Sequence, residues 1–128
     1  VLDSMKERDL VVVFGAGGDR DRTKRPKMGA MAERYAKKIV VTSDNPRSED
    51  PKSIINEILA GMRPNEHLEV EVDRHKAIEK ALLKQGKDEV LLILGKGDET
   101  YQEIQGKKYP FDDREVVKSI IAQWAKQK

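Results

Sequence analysis

Leu10-Val11-Val12-Val13-Phe14, closed by Gly15-Ala16-Gly17-Gly18, is the stretch on which the fold turns. A short apolar run, rich in β-branched residues and stopped by glycine, reads as a strand buried on both faces. Such a strand belongs in a parallel sheet with helices above and below it. Lys38-Ile39-Val40-Val41-Thr42 has the same character, as does Glu89-Val90-Leu91-Leu92-Ile93-Leu94, stopped by Gly95. Leu68-Glu69-Val70-Glu71-Val72 alternates strictly instead, which predicts a strand with one wet face near an edge.

Helical periodicity fills the gaps. Ile54, Ile55, Ile58, Leu59 and Met62 form a stripe after Pro51, and Ala77, Ile78, Ala81 and Leu82 form another that ends near Gly86. Val116, Val117, Ile120, Ile121 and Trp124 make a third stripe, after Asp112-Asp113 at a helix start. Met28 to Ala36, following Pro26, predicts a further helix, and Tyr101 to Phe111 around Gly106-Lys107 predicts a hairpin. The expected class is α/β: a Rossmann-like, mostly parallel sheet with helices on both faces and a C-terminal hairpin plus helix. A chain of 128 residues suits a single domain spanning 1–128. Val1 to Arg8 have the pattern of a helix tail whose beginning is missing, so a fragment of a larger protein is expected.

Composition removes several functions. Lys plus Arg total 25 against 23 for Asp plus Glu, a net charge of +2, which disfavours binding nucleic acid or a membrane surface through bulk charge. No apolar stretch approaches a bilayer's thickness. With no Cys there is no disulfide and no thiolate nucleophile or metal ligand, and His67 and His75 stand too isolated to suggest zinc.

In a parallel sheet, ligands bind beyond the carboxyl ends of the strands, which selects three loops. These are Gly15 to Pro26, Ser43 to Ser48, and Gly95 to Thr100. The first fails the dinucleotide spacing, because Arg20 stands where G-x-G-x-x-G needs its third glycine, and no Walker-type phosphate loop occurs in the chain. Its tight-turn reading outweighs phosphate binding, while Arg20, Arg22, Lys24, Arg25 and Lys27 are as consistent with an anion site as with a solvated loop. Asp44-Asn45-Pro46-Arg47 reads as a turn in which Arg47 is surplus and free to clamp a carboxylate. With Glu99 one loop away to receive an ammonium, a ligand bearing both groups is one candidate. Asp112 and Asp113 are better explained by capping than by acid–base catalysis, Ser43 and Ser48 have no evident base, and Trp124 fits core or a docking surface.

Taken together, the runs Val13-Phe14-Gly15-Ala16-Gly17-Gly18-Asp19-Arg20-Asp21, Lys24-Arg25-Pro26-Lys27-Met28-Gly29, Asp44-Asn45-Pro46-Arg47 and Gly95-Lys96-Gly97 resemble the Mur ligases that add the third residue of the peptidoglycan stem peptide, the UDP-N-acetylmuramoyl-tripeptide synthetases. The resemblance extends through Ile54-Ile55-Asn56 and Tyr101-Gln102 and corresponds to the carboxy-terminal domain of those enzymes. It implies a cytoplasmic, ATP-dependent amide ligase joining a diamino acid to UDP-MurNAc-L-Ala-D-Glu through an acyl phosphate. ATP and magnesium would be bound mainly by domains outside these residues, and the isolated domain would be inactive. It further implies that Arg20 meets the incoming amino acid's carboxylate. Asp44-Asn45-Pro46-Arg47 would be the meso-diaminopimelate motif, with Arg47 on the distal carboxylate and Asn45 adding a hydrogen bond. Gly95 would offer backbone, and Glu99 would orient the distal ammonium. Asp98 departs from the His of many relatives, and the extra carboxylate leaves open a related diamino diacid, such as a sulfur-bridged analogue with the same two ends, while lysine remains a further possibility. The alternative is a stand-alone α/β module for a nucleotide or phosphorylated metabolite, seated on Gly15 to Arg25. A pure protein-interaction domain is a third reading, one that leaves the charged loops without a shared purpose.

Overall fold

The computed structural model describes residues 9–86, 88–95 and 99–126; Val1 to Arg8 and Asp98, on which two expectations fall, lie outside them. Along the chain run β1 (Asp9–Phe14), a single 3-10 turn (Arg22–Lys24), α1 (Arg25–Tyr35), β2 (Lys38–Val41), α2 (Pro51–Leu59), β3 (Leu68–Val70) and α3 (Arg74–Lys84). They are followed by β4 (Glu89–Ile93), β5 (Tyr101–Ile104), β6 (Lys107–Pro110) and α4 (Asp113–Lys126).

Four strands form a parallel sheet in the order β3-β2-β1-β4, with Val12 opposite both Ile39 and Leu92. The pleat then divides the apolar residues between two faces. Val12, Phe14, Ile39 and Val41 pack with Ile54, Ile55 and Ile58 of α2 and Ala32 of α1. Val11, Val13 and Val40 pack on the other face with Ala77, Ile78 and Ala81 of α3 and Ile120 of α4. The unbroken apolar run in β1 is therefore the signature of a strand covered on both sides, as expected. Among the described residues, no helix is long and apolar enough to cross a membrane.

Local chemistry sets the boundaries. Asp50 and Asp73 cap α2 and α3 by accepting from the backbone N–H of Lys52 and Lys76, and Pro51 fills the first turn of α2. Gln105 and Gly106 have φ of 52° and 78°, so β5 and β6 join through a two-residue type I′ turn. Three expectations need correction. β4 reads as a core strand, yet it lies at an edge of the sheet and is half-buried throughout, because only β1 pairs with it there. β3 is an edge strand as predicted but pairs for only three residues, and its Val70 is 45% exposed despite the alternation. Ile121 shares the apolar stripe of α4 but is 50% exposed, since the helix presents only the Ile120 side to the sheet.

Candidate functional site

All three polar loops leave the carboxyl end of the sheet, from β1, β2 and β4, and meet around a cleft of about 760 Å³. Arg20, Asp44, Asn45, Arg47, Gly95 and Glu99 all line it. Pro46, the remaining predicted residue, is buried beneath, with its carbonyl facing Gly18. A Cβ at Gly18 would lie 1.9 Å from that oxygen, so only glycine lets the first and second loops touch. The Gly18 N–H donates to the Asn45 carbonyl at 2.7 Å, locking the two loops together.

Arg47 is held from both ends. Its backbone, at φ 52°, bridges to the hairpin: its N–H donates to the Glu103 carbonyl at 2.9 Å and its carbonyl accepts from the Gln105 N–H at 2.8 Å. Its Nη1 donates to the Gly18 carbonyl at 2.9 Å, and its Nε lies 3.6 Å from Glu103 Oε1. A Cβ at Gly17 would fall 2.9 Å from Arg47 Nη1 and 3.6 Å from Arg20 Cδ. The two arginine side chains thus both approach the Gly17 backbone, and both line the cleft.

Glu99 is positioned by the second loop. Asn45, 1% exposed, donates through Nδ2 to Glu99 Oε1 at 3.1 Å and accepts at Oδ1 from the Glu103 N–H at 2.9 Å. Tyr101 donates its hydroxyl to Glu99 Oε2 at 3.4 Å. Asp44 is buried beside Gly95, and its carbonyl accepts from Gln102 Nε2 at 2.7 Å. Resemblance gives Asn45 a hydrogen bond to the ligand; here its amide serves the carboxylate beside it.

The basic cluster divides. Arg25, 1% exposed, binds Glu49 through two parallel bonds of 3.0 and 2.8 Å and also donates to the Gly17 carbonyl at 3.0 Å. Arg22 forks onto Glu57. Both are consumed in tying the first loop to α2, so the five-residue anion site shrinks to Arg20 and Lys24 on the cleft wall. The Arg25 guanidinium, aided by the Asp19 N–H, lowers the Glu49 carboxyl to about 2. The N–H groups of Gly18 and Asp19 already have partners, so these two are not free to hold a phosphate.

Sequence reasoning missed Arg74. It lies on the apolar stripe of α3, one turn before Ala77 and Ile78, and that position was its only signal. Arg74 is 1% exposed and forks onto Asp113 with two bonds of 2.8 Å. It also donates to the carbonyls of Ser43 and Leu94, each at 3.1 Å. Asp112 caps α4 by accepting from the Arg114 N–H, whereas Asp113, expected to cap, serves Arg74. Ser43 is bonded to Val72 and Gln102, the two histidines are exposed, and Trp124 packs against the α3–α4 core. Among the described residues no cluster of three or more His, Cys, Asp or Glu is arranged to hold a metal ion.

Fold and cleft define the class: an α/β domain with a polar cleft where loops from several parallel strands converge, the place where such sheets bind ligands. The chain belongs to the Mur ligase, glutamate ligase domain family, whose pattern matches residues 1–97. It is similar to the UDP-N-acetylmuramoyl-L-alanyl-D-glutamate--2,6-diaminopimelate ligases of Helicobacter hepaticus (59% identical, 95% of this chain and 26% of the relative) and Wolinella succinogenes (54%, 96% and 28%). That of Aquifex aeolicus is 54% identical over 88% of this chain and 23% of its own length. A solved structure of a ligase of that name superposes with a TM-score of 0.90 at 39% identity, covering 97% of this chain and 26% of the other. The chain therefore spans about a quarter of the length of the relatives it matches.

Proposed function

We propose that this chain is the diamino-acid-receiving domain of an ATP-dependent ligase that joins meso-diaminopimelate to UDP-MurNAc-L-Ala-D-Glu. The observation that carries the reading is the meeting of Arg20, Arg47 and Glu99, from three separate loops, around one cleft. A ligand with an acid group at each end and an ammonium beside the far one matches that set. Arg47, with Nη1 tied to Gly18 and Nε beside Glu103, is oriented before any ligand arrives. Its fork takes the distal carboxylate, Glu99 takes the distal ammonium, and Arg20 takes the near carboxylate. The near amine is then left to attack the activated D-glutamyl carbonyl, and the phosphate departs. ATP, held with magnesium mainly by parts of the protein outside this chain, supplies the phosphoryl group that activates the carboxyl. Lysine lacks the second carboxylate and would strand a half-buried guanidinium, which is the physical basis for rejecting it. This assignment places the protein in the cytoplasm, where its nucleotide-linked substrate is made.

The test uses the full-length ligase. Arg47→Ala should raise the KM for diaminopimelate by an amount equivalent to about 2–5 kcal/mol, with the KM for ATP unchanged. Unaltered diaminopimelate kinetics would refute the assignment.

A further inference from the structure

The two loops that grip the ligand's far end spring from β2 and β4, strands that are not neighbours in the sheet; β1 lies between them. Backbone pairing therefore does not fix the spacing of their ends directly. Side chains do: Asn45 bonds Glu99 directly at 3.1 Å, and beneath that contact lies Arg74. Arg74 reaches from the first turn of α3 to the Ser43 carbonyl, just before Asp44-Asn45-Pro46-Arg47, and to the Leu94 carbonyl, just before Gly95. Its remaining donors fork onto Asp113 at the start of α4, immediately after the hairpin that holds the Arg47 backbone. The carboxylate compensates a charge that is 1% exposed, and the bonds consume the planar fork in a way an ammonium cannot copy.

We propose that Arg74, braced by Asp113, is a positioning residue that sets the distance between the loop bearing Arg47 and the loop bearing Glu99, and hence the fit of the diamino acid. It touches no substrate. The inference rests on the cleft being the diaminopimelate site, as assigned above. With the brace loosened, the carboxylate clamp and the ammonium acceptor drift relative to each other, so the ligand can satisfy one but not both. Affinity for the diamino acid then falls, whereas ATP, bound elsewhere, is unaffected.

Steady-state kinetics of the full-length ligase provide the test, with Arg74→Lys, Arg74→Met, Asp113→Asn and Arg47→Ala compared side by side. Asp113→Asn keeps the shape of the pair and guards against loss of folding in the arginine variants, which circular dichroism and thermal unfolding monitor. Asp113→Asn and Arg74→Lys should each raise the KM for diaminopimelate at least fivefold, Arg74→Met more, all with the KM for ATP within twofold of the wild type. A fall in melting temperature with an unchanged diaminopimelate KM in the folded variants would overturn the proposal and leave the pair a stabilising brace only. If Arg47→Ala is also without effect, the site assignment itself fails and the positioning role falls with it. A raised KM for Arg47→Ala alone would instead keep the site and reject the role of Arg74.

Discussion

Arg47 and its glycine neighbours show what one residue can carry. The arginine was legible in sequence because a turn built on Asp, Asn and Pro has no need of a guanidinium. Its setting was not legible: Glu103, the Gly18 carbonyl and the hairpin backbone lie beside it only through tertiary folding. Two adjacent glycines consequently have different meanings. At Gly17 an added methyl meets a flexible guanidinium at 2.9 Å, so Gly17→Ala should displace Arg47, raise the diaminopimelate KM of the full-length ligase and barely change the melting temperature. At Gly18 the methyl meets the Pro46 carbonyl at 1.9 Å, and backbone must move; Gly18→Ala should cost about 1–3 kcal/mol in chemical denaturation as well as activity. Equal effects of the two substitutions on stability would contradict this distinction.

At the level of elements, periodicity, composition and turn signals together identified the α-helices and strands among the described residues, though not the 3-10 turn, and they did not rank burial. Ile58 and Ile121 both belong to apolar helical stripes, yet one is 0% and the other 50% exposed. Ile58→Ala should therefore cost about 2–5 kcal/mol, and Ile121→Ala no more than about 0.5 kcal/mol, measured by urea unfolding. The same limit explains the reading of β4 as a core strand. An apolar run reports that a strand is apolar, not how many neighbours pair with it, and strand order is a property of the assembled sheet. Arg74 and Asp113 were opaque for a related reason: each fits a local role, surface arginine or cap, and their partnership spans 39 positions of sequence.

For the whole molecule, charge is used to fasten loops as much as to bind. The Glu49 carboxyl, lowered from 4.5 to about 2 by Arg25, contributes stability at neutral pH that is lost as pH falls from about 4.5 toward 2. Glu49→Gln should therefore destabilise the protein at pH 7, with the difference in melting temperature from wild type shrinking over that acid range; a constant difference would deny the pairing. Since Arg25 also holds the Gly17 carbonyl, the glycine loop is expected to loosen first in acid. All these fastenings serve one arrangement, the cleft for which we propose a doubly acidic amino acid held by both ends. The most direct measurement is a crystal structure of the full-length ligase with meso-diaminopimelate bound. One carboxylate should lie within hydrogen-bonding distance of the Arg47 guanidinium, the adjacent ammonium on Glu99 and the other carboxylate by Arg20. A ligand seated away from this cleft, or one whose carboxylates leave Arg47 bonded only to Gly18 and Glu103, would contradict the account.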